Sequence, residues 1–287
     1  MIRVSFANQK GGVGKTTVTL GFTEAAFLCN KKVLVVDCDP QANSTSGLGI
    51  EQNSETKSIV DILRDEIELD ENNIELYVQS SSWNSLFPEI DLTSNTLPKI
   101  DVIPSNGMLG SIEAMLATDP IGACDRLDNA LRNISHLYDY IFFDCPPSMG
   151  LLTINALYAS DQVIVVSGPS AWSSDGVSAF KQNVARIAKR LGGRPELSAV
   201  IVNNVGRTRD AKYWQNEIIE SSDETNLPVQ SISARAAIAE AGAMSQPLSA
   251  LGRRDGAQTA VGEFLEAFNS ILNTKAVEEK KIKLVNY

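Results

Sequence analysis

The sequence predicts an α/β fold: a single domain with a mostly parallel, twisted β-sheet flanked by helices. Short apolar runs rich in Val, Ile and Phe alternate with longer helical patterns along the 287 residues, and this alternation is typical of such sheets. The runs are almost continuously apolar, which indicates strands covered on both faces. A glycine-rich segment, residues 10–17, lies between the first run and the first helical pattern. The fold therefore starts as strand, loop and helix.

Each apolar run is assigned to a strand and each helical pattern to a helix. The predicted strands are 2–7, 32–36, 100–103, 140–143, 162–167, 199–202 and 229–232. The predicted helices are 15–29, 58–66, 121–135, 151–159, 176–191, 212–221, 235–244 and 258–272. The polar stretch 72–98 is predicted to be an excursion from the sheet. The domain covers residues 1–273, and residues 274–287 form a charged C-terminal tail.

The charge is unevenly distributed. The net charge of −10 argues against a generic nucleic-acid binder. Residues 1–170 carry 10 Lys/Arg and 22 Asp/Glu, whereas residues 171–260 carry 11 and 9, so a basic surface is expected only in the later part. The four cysteines lack paired ligand spacing, and no apolar window approaches the roughly 18 residues of a membrane span. We expect reduced thiols, a cytoplasmic location and no stable membrane insertion.

The segment 10–17 reads Lys-Gly-Gly-Val-Gly-Lys-Thr-Thr, follows a predicted strand and opens a predicted helix. A phosphate-binding loop requires this context. Glycines let the backbone wrap around phosphate oxygens, and the helix N-terminus adds partial positive charge. In such a loop Lys15 reaches the β- and γ-phosphates, and the Thr16 hydroxyl binds Mg²⁺. A turn that binds nothing is the alternative. The predicted nucleotide-binding residues are Lys10, Gly11, Gly12, Val13, Gly14, Lys15, Thr16 and Thr17.

Acidic residues follow two of the predicted strands. Asp37 and Asp39 come after the strand 32–36, and Asp144 follows the strand 140–143. Ligands of doubly wound sheets gather at the carboxyl ends of strands, where the phosphate loop also lies. A lone aspartate at a strand end is commonly a helix cap. Three of them beside a phosphate loop favour a magnesium nucleotide site, so the chain is predicted to be a P-loop nucleotide hydrolase.

The sequence resembles the ParA family of partition ATPases, within the larger group that includes MinD and the nitrogenase iron protein. The resemblance depends on the phosphate loop with its early lysine, Lys10, and on Val-Asp-Cys-Asp-Pro-Gln-Ala-Asn at 36–43. It continues through residues 103–106, 144–157, 240–241 and 246–248. The resemblance implies a P-loop fold of the deviant Walker A type, with ATP and Mg²⁺ as cofactors.

The resemblance also implies roles for individual residues. Lys10 reaches across an ATP-dependent sandwich homodimer to the partner's phosphates, where a second cation offsets developing charge. Asp39 positions the attacking water, Asp37 supports the Mg²⁺ shell, and Asp144 holds Mg²⁺ through water. Hydrolysis of ATP is slow and is stimulated by a ParB-like adaptor. Because ATP joins two subunits, the nucleotide state controls the assembly state.

In this family the ATP-bound dimer binds non-specific DNA through basic residues late in the chain. The candidates here are Arg207, Arg235, Arg253 and Arg254. Such binding neutralises phosphates and releases counterions, so it weakens steeply with salt. For any one arginine, the alternative is a solvated surface position. The resemblance implies a cytoplasmic, nucleoid-associated protein that segregates plasmid or chromosome DNA, or that positions a protein cargo.

Some positions depart from the family pattern or allow two interpretations. Ser233 stands where a proline is usual, seven residues before Glu240, on the adenine side of the site. Asn203 and Asn204 follow a predicted strand and are candidate adenine-reading residues, although adjacent asparagines are also common in turns. The segment 168–173 also differs from the common pattern.

Two other functions match part of the sequence. A MinD-like ATPase that cycles on the membrane for division-site placement needs an amphipathic C-terminal helix, and the segment 275–285 has apolar residues but also two glutamates. A redox protein with a cluster between its subunits needs two suitably placed thiolates per subunit. Cys145 follows Asp144, but Cys124 lies in a helical pattern without a ligand motif. The partition function is therefore preferred.

Overall fold

One sheet of eight strands forms the centre of the molecule in this computed structural model, which describes residues 1–53, 55–87, 97–119, 122–223, 226–254 and 256–272. The strands are β1 (Ile2–Ala7), β2 (Lys32–Asp37), β3 (Gln79–Ser80), β4 (Lys99–Ile103), β5 (Tyr140–Asp144), β6 (Gln162–Ser167), β7 (Glu196–Val205) and β8 (Val229–Ser233). Their order in the sheet is β3-β4-β2-β5-β1-β6-β7-β8. All neighbours are parallel except β3 and β4, which are antiparallel.

Helices form the crossovers that parallel strands require. They are α1 (Lys15–Leu28), α2 (Asn43–Gly47), α3 (Ile59–Asp65), α4 (Ile74–Tyr77), α5 (Leu109–Leu116), α6 (Arg126–Leu131), α7 (Leu151–Tyr158), α8 (Ala171–Arg190), α9 (Arg209–Asp223), α10 (Ala236–Ala243) and α11 (Ala257–Ile271). Short 3₁₀ turns lie at Ser82–Ser85, Ser135–Leu137 and Leu248–Leu251. None of the helices in the described ranges has the length and apolar composition needed to cross a bilayer.

The sheet is covered on both faces because neighbouring residues of each strand point to opposite sides. Leu34 and Val36 of β2 belong to one buried apolar cluster, together with side chains of α3, α5, α6, α7, α8 and α9. Val33 and Val35 belong to a second cluster, together with side chains of α1, α10 and α11. Two helical layers therefore enclose the sheet.

Aromatic packing fixes α1 against the sheet and against α11. The Phe22 ring meets Phe6 of β1 and Phe268 of α11 edge to face, with centroid distances of 5.1 and 6.2 Å. Gly21 allows the close approach of α11, because a Cβ atom there would lie 2.4 Å from the Phe264 ring. The N-terminus of α1 is thereby held at the carboxyl end of β1.

A buried carboxylate ties α1 to the 3₁₀ turn Leu248–Leu251. Glu24 is 2% exposed, and its two oxygens accept backbone N–H groups of Leu248 and Ser249 at 2.9 and 2.8 Å. Burial raises the pKa of Glu24, whereas these hydrogen bonds lower it. The interaction satisfies N–H groups that a helical turn leaves unpaired at its start.

The strand register brings the ends of three strands to one level. Asp37 at the end of β2 is paired with Asp144 at the end of β5, and Phe6 of β1 is also in register with Asp144. The phosphate loop begins just after β1. Side chains that are more than a hundred positions apart in sequence therefore meet at one edge of the sheet.

The predicted α/β class with its mostly parallel sheet is confirmed, and each of the seven predicted strands is present. β7 extends three residues beyond each end of the predicted strand 199–202. The predicted helices 176–191 and 212–221 begin earlier, at Ala171 and Arg209. The helices α2, α4 and α5 were not predicted. The tail 274–287 lies outside the described residues, so the domain boundary stays a prediction.

The predicted helix 121–135 is wrong over much of its length. Residue 121 lies outside the described residues, and only Arg126–Leu131 is α-helical before the 3₁₀ turn Ser135–Leu137. The Asp119 carboxylate accepts the Gly122 N–H at 3.0 Å and the Arg126 guanidinium at 2.8 Å. These bonds hold the start of the segment as a turn.

The predicted excursion 72–98 is also corrected in part. Gln79 and Ser80 form an edge strand, paired antiparallel with β4. Trp83 is 3% exposed, and its indole N–H donates to the Ser245 carbonyl at 2.9 Å. The segment thus contributes to the sheet and the core. Residues 88–96 lie outside the described ranges.

Candidate nucleotide site

Two glycines in the loop between β1 and α1 have left-handed backbone conformations. Gly12 has a φ of 73° and Gly14 a φ of 89°. A Cβ atom on Gly14 would also lie 2.0 Å from Nδ2 of Asn203. A side chain at Gly14 would therefore strain the backbone and displace its neighbour. The tight wrap of the loop depends on glycine at these positions.

Lys15 begins α1, and its side chain folds back over the loop. Its Nζ donates to the Lys10 carbonyl at 3.2 Å, and the residue is 7% exposed. Burial lowers the pKa of Lys15, while the neighbouring Asp144, Cys145 and Asp39 act in the opposite direction. A cation held across a glycine loop at a helix N-terminus is an arrangement that binds phosphate groups.

Thr16 lies in the first turn of α1 and contacts the acid at the end of β5. Its hydroxyl donates to Oδ2 of Asp144 at 2.7 Å, and the Ser44 hydroxyl of α2 donates to the same oxygen at 2.6 Å. Burial raises the pKa of Asp144 to about 6, although these two hydrogen bonds oppose the shift. The structure thus brings together Thr16 and Asp144, two of the predicted metal-binding residues.

Asp37 is the third predicted metal-site residue, and it is fully buried behind α2. Its Oδ2 accepts the Thr45 N–H at 2.8 Å and the Thr45 hydroxyl at 2.7 Å. Its Oδ1 accepts the Asp39 N–H at 3.1 Å. Burial, with a smaller contribution from the charge of Asp144, raises the pKa of Asp37 to about 7. Asp37 therefore supports the loop that carries Asp39.

Asp39 lies closer to the surface of this edge, at 9% exposure. Its Oδ1 accepts the Gln41 N–H at 2.9 Å, and its carbonyl accepts the Ser105 hydroxyl at 2.7 Å. The Ser105 N–H in turn donates to the Thr45 hydroxyl at 3.0 Å. The sequence analysis gave no role to Ser44, Thr45 or Ser105. Ser44 and Thr45 lie in the polar segment that follows the acidic end of β2, whereas Ser105 lies just after β4.

Lys10 contacts the start of the helix that follows β6. Its Nζ donates to the Ser170 hydroxyl at 3.0 Å. Its backbone N–H donates to Oδ1 of Asn8 at 3.1 Å, and the amide of Asn8 donates to the Val166 carbonyl at 2.7 Å. Lys10, the early lysine of the phosphate loop, is therefore held by hydrogen bonds within its own subunit.

The two asparagines at the end of β7 have different environments. Asn203 is 6% exposed, and its amide donates to the Val13 carbonyl of the phosphate loop at 3.1 Å. Asn204 is exposed and has a φ of 59°. Asn203 supports the loop, whereas Asn204 faces the surface. Their predicted role as adenine-reading residues stays a prediction.

Two cavities adjoin the phosphate loop. One of about 360 Å³ lies along the side of α1, against Leu20, Gly21 and Glu24. A second, of about 310 Å³, opens onto the loop itself. The residues that line the second cavity are Gly12, Gly14, Thr17, Asn203, Asn204, Arg235, Ile238, Ala239 and Gly242.

The four predicted DNA-binding arginines are not equivalent. Arg207 and Arg253 are exposed. Arg254 is also exposed and forms an ion pair with Glu240. Arg235 is 19% exposed at its side chain and forms a two-pronged pair with Glu263 at 2.7 and 2.8 Å. A DNA contact stays a prediction for each of them.

The residues at the strand ends fit a magnesium ion. They supply carboxylate and hydroxyl oxygens, which are the ligands that Mg²⁺ prefers. The raised pKa values of Asp37 and Asp144 indicate buried acidic groups whose ionised forms a nearby cation would stabilise. Across the residues described, no three His, Cys, Asp or Glu side chains converge on a closed metal cage. A magnesium site completed by phosphates and water does not need one.

Burial favours the neutral form of two thiols that the redox alternative involves. It raises the pKa of Cys145 to about 12, and Asp144 adds to the shift. The pKa of Cys124 is also raised by burial. Both cysteines thus behave as small side chains of the protein interior. The membrane alternative depends on residues 275–285, which lie outside the described ranges.

The fold and this site define a class of protein. A parallel sheet leads from its first strand through a glycine loop into a helix, and Lys15, Thr16 and Asp144 gather at that loop. These features are those of the P-loop nucleotide-binding proteins.

Known proteins of similar sequence narrow this class to one family. A family profile described as an AAA domain matches residues 1–198. The chromosome partitioning protein ParA of Caulobacter vibrioides is 32% identical over 207 residues, or 71% of this chain and 70% of that protein. The sporulation initiation inhibitor protein Soj of Bacillus subtilis is 38% identical over 189 residues, or 66% of each chain. The chain belongs to the ParA family of partition ATPases, which confirms the resemblance.

The match leaves part of the curated relatives uncovered, since the chain spans 66% of the length of Soj. A solved structure shows the same fold over a longer range. The ATP complex of a Cyanothece McdA variant superposes with a TM-score of 0.77 at 22% identity, covering 95% of this chain and 96% of that one. At this identity the likeness concerns the fold alone.

Proposed function

We propose that this protein is a dimerising ATPase that binds ATP with Mg²⁺ and hydrolyses it to ADP and phosphate. The observation that carries the proposal is the hydrogen bond between Thr16 and Asp144 directly behind the Lys15 loop. A hydroxyl, a carboxylate and a cation beside one glycine loop are the groups with which P-loop proteins bind a magnesium triphosphate. Membership of a family of partition ATPases supports the same activity.

Each residue of the site would have a separate role in binding and hydrolysis of ATP. The N–H groups of the glycine loop and the Lys15 ammonium bind the phosphates and offset their charge. Thr16 and Asp144 hold Mg²⁺, with Asp37 behind them. When bound, Mg²⁺ would offset the negative charge that develops on the phosphates during transfer. Asp39, the most exposed of the three acids, orients the attacking water.

The position of Lys10 supports the proposed dimerisation. Its ammonium belongs to the phosphate loop, yet in this subunit it is bonded to Ser170 and not folded over the loop as Lys15 is. In the proposed dimer, Lys10 leaves Ser170 for the phosphates of the partner subunit. ATP then acts as a dimerising ligand, because each bound nucleotide contacts both subunits. Hydrolysis is slow until a ParB-like adaptor stimulates it.

Non-specific DNA is the proposed surface to which the ATP-bound dimer attaches. Two exposed arginines late in the chain, Arg207 and Arg253, supply the local positive charge that phosphate contacts require. Arg254 would have to leave its ion pair with Glu240 to join them. The names of the relatives, a chromosome partitioning protein among them, favour a cargo of plasmid or chromosome DNA, with a protein cargo as the variant. The protein would then reside in the cytoplasm on the nucleoid.

Calorimetric titration with Mg²⁺ and ATP tests the proposal. We expect saturable binding by the wild-type chain and none by Lys15→Ala, because the loop then lacks its main phosphate cation. Lys57→Ala is the matched control, since Lys57 is exposed and lies outside the site; it should bind like wild type. A wild-type chain without detectable ATP binding would contradict the proposed function.

A further inference from the structure

We propose that Arg235, held flat by Glu263, is the platform on which the base of the bound nucleotide stacks. This inference rests on the proposed function, because it assigns a subsite of the same nucleotide site. It gives Arg235 a role in nucleotide recognition in place of a DNA contact. Three features support this role: the rigidity of the Arg235–Glu263 pair, its charge balance and the cavity that it borders.

The pair is rigid because Glu263 accepts four hydrogen bonds. Two come from the terminal nitrogens of Arg235, at 2.7 and 2.8 Å. The other two come from the N–H and hydroxyl of Ser233, both at 2.9 Å. A two-pronged contact fixes the plane of the guanidinium and not only its position. Ser233, which stands where the family pattern has a proline, therefore helps to fix the Arg235–Glu263 pair.

The arm of Arg235 is also fixed by packing against the start of α11. A Cβ atom on Gly256 would lie 2.9 Å from Cδ of Arg235, and Gly256 has a φ of 80°. The glycine therefore provides space for the arginine in addition to its left-handed turn. Glu263 lies two turns further along the same helix. α11 thus holds both ends of the Arg235 side chain.

The guanidinium borders the cavity where a nucleoside would lie. This cavity of about 310 Å³ is lined by Gly12, Gly14 and Thr17 of the phosphate loop and also by Arg235. The larger cavity along α1 borders Thr16 and Thr17 too, but neither Gly12 nor Gly14 lines it. Because the loop glycines bind the phosphates, a ribose and base joined to those phosphates fit the cavity that these glycines line.

Stacking is the contact that such an arginine makes best. A guanidinium is planar and weakly hydrated, and it stacks on aromatic rings. Both terminal nitrogens of Arg235 already donate to Glu263, and a stacked base needs no donor. Glu263 also neutralises the charge of Arg235, whereas a DNA phosphate contact depends on an uncompensated cation. The pair therefore suits an uncharged base better than a phosphate.

Two ligands separate base contacts from phosphate contacts: Mg²⁺-ATP and Mg²⁺-tripolyphosphate, which has no base. We expect Arg235→Ala to weaken ATP binding about fivefold or more, as the loss of one base-stacking contact does, with tripolyphosphate affinity unchanged. Arg235→Lys keeps a cation beside Glu263 but has no planar face, so it should weaken ATP binding to a similar extent. Arg132→Ala is the control, because Arg132 is exposed and lies outside the site; it should bind both ligands like wild type.

Unchanged ATP affinity in Arg235→Lys, with wild type binding ATP, would overturn this inference and leave the proposed function standing. A parallel loss of tripolyphosphate affinity would also overturn it, because the arginine would then act on the loop or the phosphates. If thermal unfolding shows that Arg235→Ala does not fold, the ATP affinity of Arg235→Lys tests the inference instead. A wild-type chain that binds neither ligand would remove the proposed function together with the inference.

Discussion

Thr16 and Asp144, which are 128 positions apart in sequence, are joined by a hydrogen bond of 2.7 Å at the ends of α1 and β5. The bond holds the threonine hydroxyl beside a carboxylate before any cation is present. If both groups serve Mg²⁺, Thr16→Ala should abolish most of the gain in ATP affinity that Mg²⁺ provides, with a loss of about tenfold or more. Titrations with Mg²⁺ and with EDTA measure this gain.

Thr17→Ser is the matched control for that experiment, because it changes the neighbouring residue and leaves Thr16 and Asp144 in place. It should retain the magnesium-dependent gain. If Thr16→Ala shows the same gain as wild type, the hydroxyl is not a magnesium ligand and the hydrogen bond to Asp144 is structural.

Asp39→Ala should separate binding from hydrolysis. Asp39 is the most exposed of the three acids, and its side chain accepts a bond from Gln41 and not from the phosphate loop. We therefore expect ATP binding and dimerisation to persist while phosphate release falls by about 100-fold, as for loss of a positioned acid or base. Light scattering with ATP gives the dimer, and a phosphate assay gives turnover. Normal turnover would contradict the water-orienting role, and Asp65→Ala serves as a surface control.

Gly14→Ala should damage the loop more than Gly12→Ala. Both glycines have positive φ, but only at Gly14 would a Cβ atom meet a neighbour, at 2.0 Å from Asn203. Backbone strain alone costs about 1 to 3 kcal/mol, and the clash adds to it at Gly14. ATP titration and thermal unfolding of both variants compare the two effects. Equal losses would show that the contact with Asn203 is irrelevant.

The nucleotide-free protein should lose stability as the pH rises between about 4 and 7. Burial raises the pKa of Asp37 from 3.8 to about 7 and that of Asp144 from 3.8 to about 6. In this window the folded chain therefore retains protons that the unfolded chain has released, and the free energy of unfolding falls with pH. Each such proton contributes at most about 1.4 kcal/mol per pH unit. Urea unfolding in EDTA measures the slope.

Asp37→Asn should reduce that slope, since the variant has no proton to release. Asp65→Asn is the control, because Asp65 is exposed and its pKa is lowered by the hydrogen bond from Arg64. It should not reduce the fall between pH 4 and 7. An unchanged slope in Asp37→Asn would show that Asp37 does not titrate in this range.

Arg253→Glu should weaken DNA retention in the presence of ATP without changing ATP affinity. Arg253 is exposed and follows the 3₁₀ turn Leu248–Leu251. Loss of one phosphate contact should reduce the slope of log affinity against log salt by about one. Filter binding at several salt concentrations measures this slope. Arg132→Glu is the control on an exposed site elsewhere, and equal slopes in all three proteins would remove Arg253 from the DNA surface.

The local parts of this fold were predictable and the long-range side-chain partners were not. The strands could be placed because each is a nearly continuous apolar run, and the phosphate loop because its residues are contiguous. α2 was missed because Asn43–Gly47 contains no apolar residue that could set a helical period. Its Ser44 and Thr45 were missed with it, although they bind Asp144 and Asp37.

The ion pair of Arg235 is another long-range partnership that the sequence did not predict. The sequence presents it as a basic residue in a late, positively charged region. Its partner Glu263 lies 28 positions away on another helix, and no local pattern links the two. Residue type predicted a charge at this position, whereas only the packing of α11 shows that the charge is compensated.

The buried Glu24 carboxylate connects α1, which begins at the phosphate loop, to the 3₁₀ turn Leu248–Leu251. Glu24 lies about 14 Å along α1 from Lys15, and Arg253 follows the turn whose N–H groups Glu24 accepts. Separating α1 from that turn would leave a buried carboxyl group and two backbone N–H groups without hydrogen-bond partners, which costs free energy. A displacement of α1 would therefore also displace the turn that precedes Arg253.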